Sequence, residues 1–537
     1  MSLSGILRLP TETLVSIFEF QDLQAKWKDT GSIPNIRLTC RRFCALSSHL
    51  LIRKVYVDIT KPETVDRLQV IAADAGLAKG VREVYLRVHF YQSWVAASFE
   101  NFVSSVESEW RQRTSPQQYY EQEQQQGSIW NFERIAWNFI RSLDQTVGDT
   151  GHHELEEQST ANNVDAPDIN QIRPIIVLQR AYKLYKTGYE SQDSIMRDGD
   201  FSSVLSKTLS KFEGLRRVTI YDREFHNNYG PGTTIRVPQD DHVGHETALV
   251  SVFSRPMVWE DAQWIQPTEE IRQGVPIELL FEIPMAIGGT KGIKVDFLDI
   301  QVTTAPDYTR LPTNPESLSS LTAAMDSMEI FQFGFQPRCA SGCGPWTIDV
   351  DVDDDGAEVR RAGSNLKSAA ELQALDKYLG AILDCKTLEH ADINLGEFWI
   401  GAGFDSIRHA PTSLGINWFR ESGAMRSLHL TQTPLTTTDL ERIVSQAMVD
   451  DDEDDHIEFR LHEVYLCNGS WKHLLEKLRM AKMKNVQVGF AHPLGGGLDE
   501  LDYEVYSSVR DQFNDRGSKV HQFIRGEIDR NPLDLIN

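Results

Sequence analysis

The residues best suited to chemistry fall in short clusters, and each lacks a part that its chemistry needs. DVDDDGAEVRRA places Asp351, Asp353 and Asp355 at the first, third and fifth positions of a calcium-binding loop, with Gly356 at the sixth. Such a loop is closed by a bidentate glutamate at its twelfth position, and Ala362 stands there instead. The stretch therefore reads as a solvated acidic loop, as does DDDEDD from Asp450. Cys339 and Cys343 flank ASG close to metal-ligand spacing, but no second pair and no His-x-x-x-His completes four ligands, so they read as free thiols. His152-His153-Glu154 stops short of a helical zinc-protease motif. GGTKG and PLGGGLDE read as turns, because neither ends in Gly-Lys-Ser/Thr ahead of a helix. With no nucleophile elbow, kinase signature or dinucleotide fingerprint, the sequence predicts a non-catalytic protein without cofactor or metal.

The elements that must carry any function repeat one pattern: an apolar residue, two free positions, a second apolar residue, one free position and a third. Ile52-Val55-Val57 and Val81-Val84-Leu86 give the first copies, on either side of PETVDRLQVIAADAGLA. Leu215-Val218-Ile220, Leu388-Ala391-Ile393, Met425-Leu428-Leu430, Leu461-Val464-Leu466 and Met483-Val486-Val488 follow, most beside a helical stretch. Alternating strand and helix predicts an α/β chain with a largely parallel sheet. Inward-pointing Val84, Leu86, Val218, Ile220, Leu428, Leu430, Val464 and Leu466 are expected in one continuous core beneath it. This spacing resembles the strand of the leucine-rich repeat, which implies an irregular βα solenoid; Gly396, Thr433 and Gly469 replace the asparagine of that repeat.

The chain begins differently. Pro10 suits the start of a helix, and Leu14, Ile17 and Phe18 give that helix an apolar face. Ile36, Cys40, Phe43, Leu46 and Leu50 predict a second helix, with Arg37, Arg41 and Arg42 on other parts of its surface. Leu9-Pro10, Glu12, Leu14 and Ile17-Phe18, then Leu38, Cys40-Arg41, Phe43 and Leu46, resemble the F-box, the helical module by which substrate receptors dock on the adaptor of SCF-type (cullin-RING) ubiquitin ligases. The segment between Phe18 and Ile36 is longer here than is usual in that family. The resemblance implies that Leu9, Pro10, Leu14, Ile17, Phe18, Leu38, Cys40 and Phe43 bind the adaptor and, through it, a cullin. The apolar face of Leu9, Leu14, Ile17 and Phe18 is then expected to be incompletely covered by the chain itself.

The expected organisation is an F-box-like module at 1–54, first βα repeats at 55–115, a low-complexity, disordered insertion at 116–172, and the irregular array with inserted loops at 173–537. Within the insertion SIWNFERIAWNFIRSL reads as a short apolar helix, and around Trp259 and Trp264 an ordered loop is expected on the array. FEIPMAIGGTKGIKVDFLDIQV reads as a β-hairpin about a glycine turn. Alternate strand positions place Tyr85, Arg87, Thr219, Tyr221, His429, Thr431, Tyr465 and Cys467 on one exposed face, of which Tyr85, Arg87, Tyr221, His429 and Tyr465 are the candidate substrate contacts.

A formal charge of −24 argues against nucleic acid as a partner. Six cysteines are too few for a disulfide framework, and no apolar stretch of membrane-spanning length occurs, which points to cytoplasm or nucleus. Two functional classes remain: a ligase substrate receptor, or a non-ligase repeat scaffold whose N-terminal helices are a cap.

Overall fold

The computed structural model describes residues 6–25, 32–113, 139, 174–197, 200–223, 245–259, 261–264, 274–290, 293–303, 307–334, 349–352, 358–361, 368–396, 425–446, 457–480, 486–498, 501, 503–513 and 518–535. The clusters around His152 and Cys339, the DDDEDD run and the middle of the Asp351 loop lie outside these residues.

Nine strands make one parallel sheet: β1 (Lys54–Asp58), β2 (Glu83–Arg87), β3 (Arg217–Tyr221), β4 (Phe297–Gln301), β5 (Ile330–Gly334), β8 (His390–Asn394), β9 (Ser427–Thr431), β11 (Ile457–His462) and β13 (Val486–Ala491). Their spatial order is their order in the chain, so each new strand is added to the same edge. Between them in sequence, β6 (Asp349–Val352) and β7 (Glu358–Arg361) form an antiparallel hairpin around the acidic loop. A second, three-stranded parallel ladder joins β10 (Pro434–Leu435), β12 (Tyr465–Leu466) and β14 (Leu494–Gly495).

The N-terminal region forms three helices, α1 (Thr11–Ala25), α2 (Ser32–Thr39) and α3 (Arg41–Ser47). Along the sheet follow α4 (Pro62–Ala73), α5 (Asp200–Leu209), α6 (Leu279–Gly288), α7 (Pro315–Ala324), α8 (Ala369–Leu383), α9 (Thr437–Gln446) and α10 (Trp471–Met480). Alternate strand residues and the apolar faces of these helices share one core, which contains all eight expected core residues from Val84 to Leu466. A parallel strand buried on its helix face loses any polar residue from that face, which is why the apolar pattern was readable.

Two copies of the pattern escaped notice, Val295-Leu298-Ile300 on β4 and Met328-Phe331-Phe333 on β5, all of them buried. Two more are displaced. The strand of the large sheet is Ile457–His462, with Phe459 and Leu461 buried, whereas Val464 and Leu466 lie beyond a sharp corner at Glu463 (φ 51°) and join the small ladder. The following strand likewise begins at Val486, and its register pairs Phe459 with Val488 and Leu461 with Phe490.

The expected hairpin at FEIPMAIG is instead helix α6, followed by β4. A continuous apolar run has no period that separates a buried strand from a helix buried on most sides. Leu279, Leu280, Ile283, Ala286 and Ile287 are all buried. Pro284 lies inside this helix, and its missing N–H leaves the Leu280 carbonyl without its intrahelical donor. The phenol of Tyr378, buried on α8, donates to that carbonyl at 2.6 Å.

Of the loop expected around Trp259 and Trp264, the described part includes helical segments at His245–Phe253 and Asp261–Trp264, and Trp259 pins it to the sheet. Trp259 is buried and its indole donates to the Val88 carbonyl at 2.8 Å. Buried Asp222 accepts from the Trp259 N–H (2.8 Å), the Thr303 N–H (3.0 Å) and the Thr303 hydroxyl. Within the expected insertion at 116–172, Phe139 is buried against Phe253 at 5.4 Å, so at least this residue belongs to the core and not to a solvated segment.

Removing the Tyr378 hydroxyl strands the Leu280 carbonyl in the core. Tyr378→Phe should lower stability by about 1 to 3 kcal/mol in urea unfolding. Placed in a Pro284→Ala background, where the restored N–H serves the same carbonyl, the same change should cost clearly less. Equal losses in both backgrounds would refute this account of the helix.

Candidate functional site

The N-terminal helices hold a small core of their own, separate from that of the sheet. Leu14, Phe18, Ile33, Phe43 and Leu50 are buried in it, with Ile6, Leu9, Ile36, Cys40 and Leu46 around them. Phe18 and Phe43 meet edge to face at 5.1 Å. The expected single second helix is broken at Cys40, whose backbone is extended and whose Sγ accepts the Phe43 N–H at 3.5 Å as an N-cap. Pro34 sits within the first turn of α2, where a proline is tolerated. Arg42 ties the preceding chain down by donating to the carbonyls of Leu7 and, at 2.9 Å, Leu9.

This packing divides the expected adaptor contacts. Leu14, Phe18 and Phe43 are buried, Leu9 and Cys40 are half-buried, and Pro10, Ile17 and Leu38 are exposed. The face of Leu9, Leu14, Ile17 and Phe18 is incompletely covered only at Ile17 and, in part, at Leu9: the three helices bring enough apolar side chains together to bury Leu14 and Phe18. Among the described residues of these helices and the chain leading into them, Leu7 (38 % exposed), Ile17 (36 %), Phe20 (58 %) and Leu38 (85 %) remain open. One exposed leucine is ordinary on a protein surface; what bears on a partner is that several exposed apolar side chains fall on helices that already have a core. Phe20 was overlooked because it lies outside the matched pattern.

The second surface is the sheet face opposite the helices. Register aligns Tyr56, Tyr85, Thr219, Asp299, Gln332, Asp392, His429 and Arg460 in one row, and Asp58, Arg87, Tyr221, Gln301, Gly334, Asn394, Thr431 and His462 in the next. Tyr85, Arg87, Tyr221 and His429 thus share this face, but the expectation that it is exposed is corrected at Thr219 and Tyr221, which are buried, while Tyr85, Arg87 and His429 are half-buried. Tyr465 is not on this face: it is buried in the small ladder, and Cys467 follows it there, its thiol pushed up to about 12 by burial. The sharp corner at Glu463 carries both out of the sheet.

Along the face Tyr56 stacks on Tyr85 at 4.9 Å, and Tyr85 meets Tyr221 edge-on at 6.4 Å. The Tyr85 hydroxyl donates to Glu83 (2.6 Å), which pairs with Lys54 at 3.1 Å. Farther along, Arg217 lies over Phe297 at 4.2 Å and reaches Asp299 at 2.5 Å. Asp299 is fully buried, and burial raises its carboxyl even against the Arg217 guanidinium. His429 lies 4.0 Å from Asp392 and 3.9 Å from Glu458. Phe297 and Asp299 carry no sequence signal because β4 falls in the stretch expected to be a hairpin, and Arg217, on β3, gains these two partners only through that strand.

At the C-terminal ends of β1 and β2 a polar knot closes the sheet. The Asp58 carboxylate accepts from His89 Nε2 (2.7 Å), the Thr60 hydroxyl (2.6 Å) and the Thr60 N–H (3.0 Å). Burial opposes the charge of Asp58, but the His89 and Thr60 hydrogen bonds prevail and hold its carboxyl well below the ordinary range. Burial lowers the His89 imidazole to about 4, and Asp58 only partly resists that shift. His89 is therefore neutral at pH 7, with its proton on Nε2 facing the carboxylate.

The described residues offer two surfaces, and the motifs singled out from the sequence for their chemistry lie largely outside them. A scan of protein-family models and a search of curated proteins returned no significant match to this chain.

The His89 knot has a pH signature. Its folded pKa lies below the unfolded value, so its contribution is complete above about pH 6.5 and is lost as pH falls toward about 4. In that window it should remove about 1.4 kcal/mol per pH unit. Asp58 adds to the loss only below the normal carboxylate range. Urea midpoints from pH 7 to 4.5 should fall more steeply for the wild-type chain than for His89→Gln, and parallel curves would contradict the assignment.

Proposed function

We propose that the chain is the substrate-recognition subunit of an SCF-type (cullin-RING) ubiquitin ligase, acting without catalytic residues of its own. The observation that carries this reading is the exposed apolar set Ile17, Phe20 and Leu38 on N-terminal helices that already possess a separate core. Two of these residues, with Leu9-Pro10 ahead of them, stand in the F-box-like pattern of the sequence. In this reading the sequentially ordered parallel sheet is an irregular, leucine-rich-repeat-like βα solenoid, and its outer face around the half-buried Tyr85, Arg87 and His429, with Tyr221 buried beside them, receives a protein substrate. Its chemistry is proximity: substrate lysines are concentrated near a charged conjugating enzyme. Cytoplasm or nucleus is the corresponding location; no described helix is long and apolar enough to cross a membrane.

A non-ligase repeat scaffold is the second reading, favoured by the burial of Leu14, Phe18 and Phe43 within the helices themselves. The two separate by affinity purification. The receptor should recover adaptor and cullin in stoichiometric amounts. Ile17→Ala with Leu38→Ala, both at exposed positions, should remove about 1.5 to 3 kcal/mol of docking energy per side chain, or about tenfold or more each in affinity. Failure of the wild-type chain to recover the adaptor would leave the scaffold reading standing, and unchanged recovery by a folded double variant would remove Ile17 and Leu38 from the docking surface.

A further inference from the structure

Three of the strand ends turn the same unusual corner. Gln432, Glu463 and His492 each follow the last residue of a strand, β9, β11 and β13, and each holds a left-handed backbone (φ 49°, 51° and 49°) that side-chain-bearing residues rarely adopt. The ladder runs on through these corners, since the Gln432 N–H donates to the His462 carbonyl (2.9 Å) and the Glu463 N–H to that of Ala491 (2.8 Å). Repetition of the corner places the three side chains in a row. Gln432 Nε2 donates to Glu463 Oε2 at 2.7 Å, and the other carboxylate oxygen lies 3.6 Å from His492 Nδ1. The ring of His462, the last residue of β11, stands 5.3 Å from that of His492.

One ligand atom from each of His462, Glu463 and His492 lies within 4.8 Å of the other two. We propose that these three side chains bind a divalent cation of the zinc class and clamp the ends of β11 and β13 together. Two imidazoles and one carboxylate are a donor set that zinc takes with a fourth position open to water or to a partner's side chain. Ligand atoms around tetrahedral zinc stand about 3.3 Å apart, so the Glu463–His492 pair is already near its bound spacing and His462 closes by side-chain rotation. Gln432 supplies what metal-ligating carboxylates usually have, an outer hydrogen bond that fixes their orientation. Glu463 and His492 keep roughly a third of their side-chain surface in water, at 31 % and 38 %, which gives the ion a path in. The site is independent of the ligase reading, and that reading could fail without touching it.

The full-length chain, stripped with chelator, should take up one equivalent of zinc at this site in competition with a chromophoric chelator, and zinc should raise its melting temperature. His462→Ala and His492→Ala should each weaken binding by about 100-fold, and Gln432→Ala by about tenfold through loss of orientation. Cobalt in place of zinc should give the weak visible bands of a nitrogen and oxygen site, without the intense thiolate charge-transfer band that Cys339 and Cys343 would produce. No uptake by the folded wild-type chain, or equal zinc affinity in the folded His462→Ala/His492→Ala double variant, would overturn the proposal and leave a plain hydrogen-bonded cluster.

Discussion

Register across the sheet is set at the strand entrances, where one carbonyl accepts two consecutive N–H groups of the next strand. Arg53 receives Arg82 and Glu83, Arg82 receives Arg216 and Arg217, and Arg216 receives Asp296 and Phe297. Asp296, Glu329 and Glu389 repeat the arrangement toward the other edge, all at 2.8 to 3.0 Å. A slip of one residue would break this pairing and move every inward side chain to the outer face. The same device stacks like charges, and the Arg82 guanidinium is lowered by burial and by Arg53 and Arg216 on either side. Asp296 relieves the end of the row through its 2.9 Å pair with Arg216.

With register fixed, the outer face becomes a set of rows in which neighbouring strands supply each other's partners. Glu83 answers Lys54 and Asp299 answers Arg217 across strands, while Glu458 answers Arg460 within β11. The face is polar without a dominant sign, so a partner there would be recognised by shape and aromatic contact as much as by field. The N-terminal helices contrast with it: their own small core leaves apolar side chains outside, the usual reverse of an economical surface.

How much of this could be read in advance depended on whether a residue's neighbours in sequence were also its neighbours in space. The parallel sheet was legible because Val84 and Leu86, or Leu428 and Leu430, meet one environment at a fixed spacing. Helix α6 was not, because its apolar run carries no period and its proline is made tolerable by Tyr378, far along the chain. The displaced strand before Glu463 was hidden by His456 at the first apolar position of its copy. In the N-terminal helices the pattern named the right residues but not their faces, since the break at Cys40 rotates Phe43 inward and leaves Leu38 outside. The row Gln432, Glu463 and His492 had no sequence signal beyond ordinary polar residues, for their meeting depends on a backbone corner that propensity disfavours.

Strands β2 and β3 are direct neighbours, Tyr85 against Thr219, although residues 88–216 lie between them, whereas only 59–82 separate the equally close β1 and β2. Because closing a flexible connection grows only logarithmically, each doubling of its length adds about 0.6 kcal/mol. A sheet extended always at the same edge asks of its connections only that they return to that edge. Such a scaffold is permissive to insertional growth: lineages could lengthen or recast a connection while the strands on either side keep their partners, so the architecture can diversify its periphery at constant register.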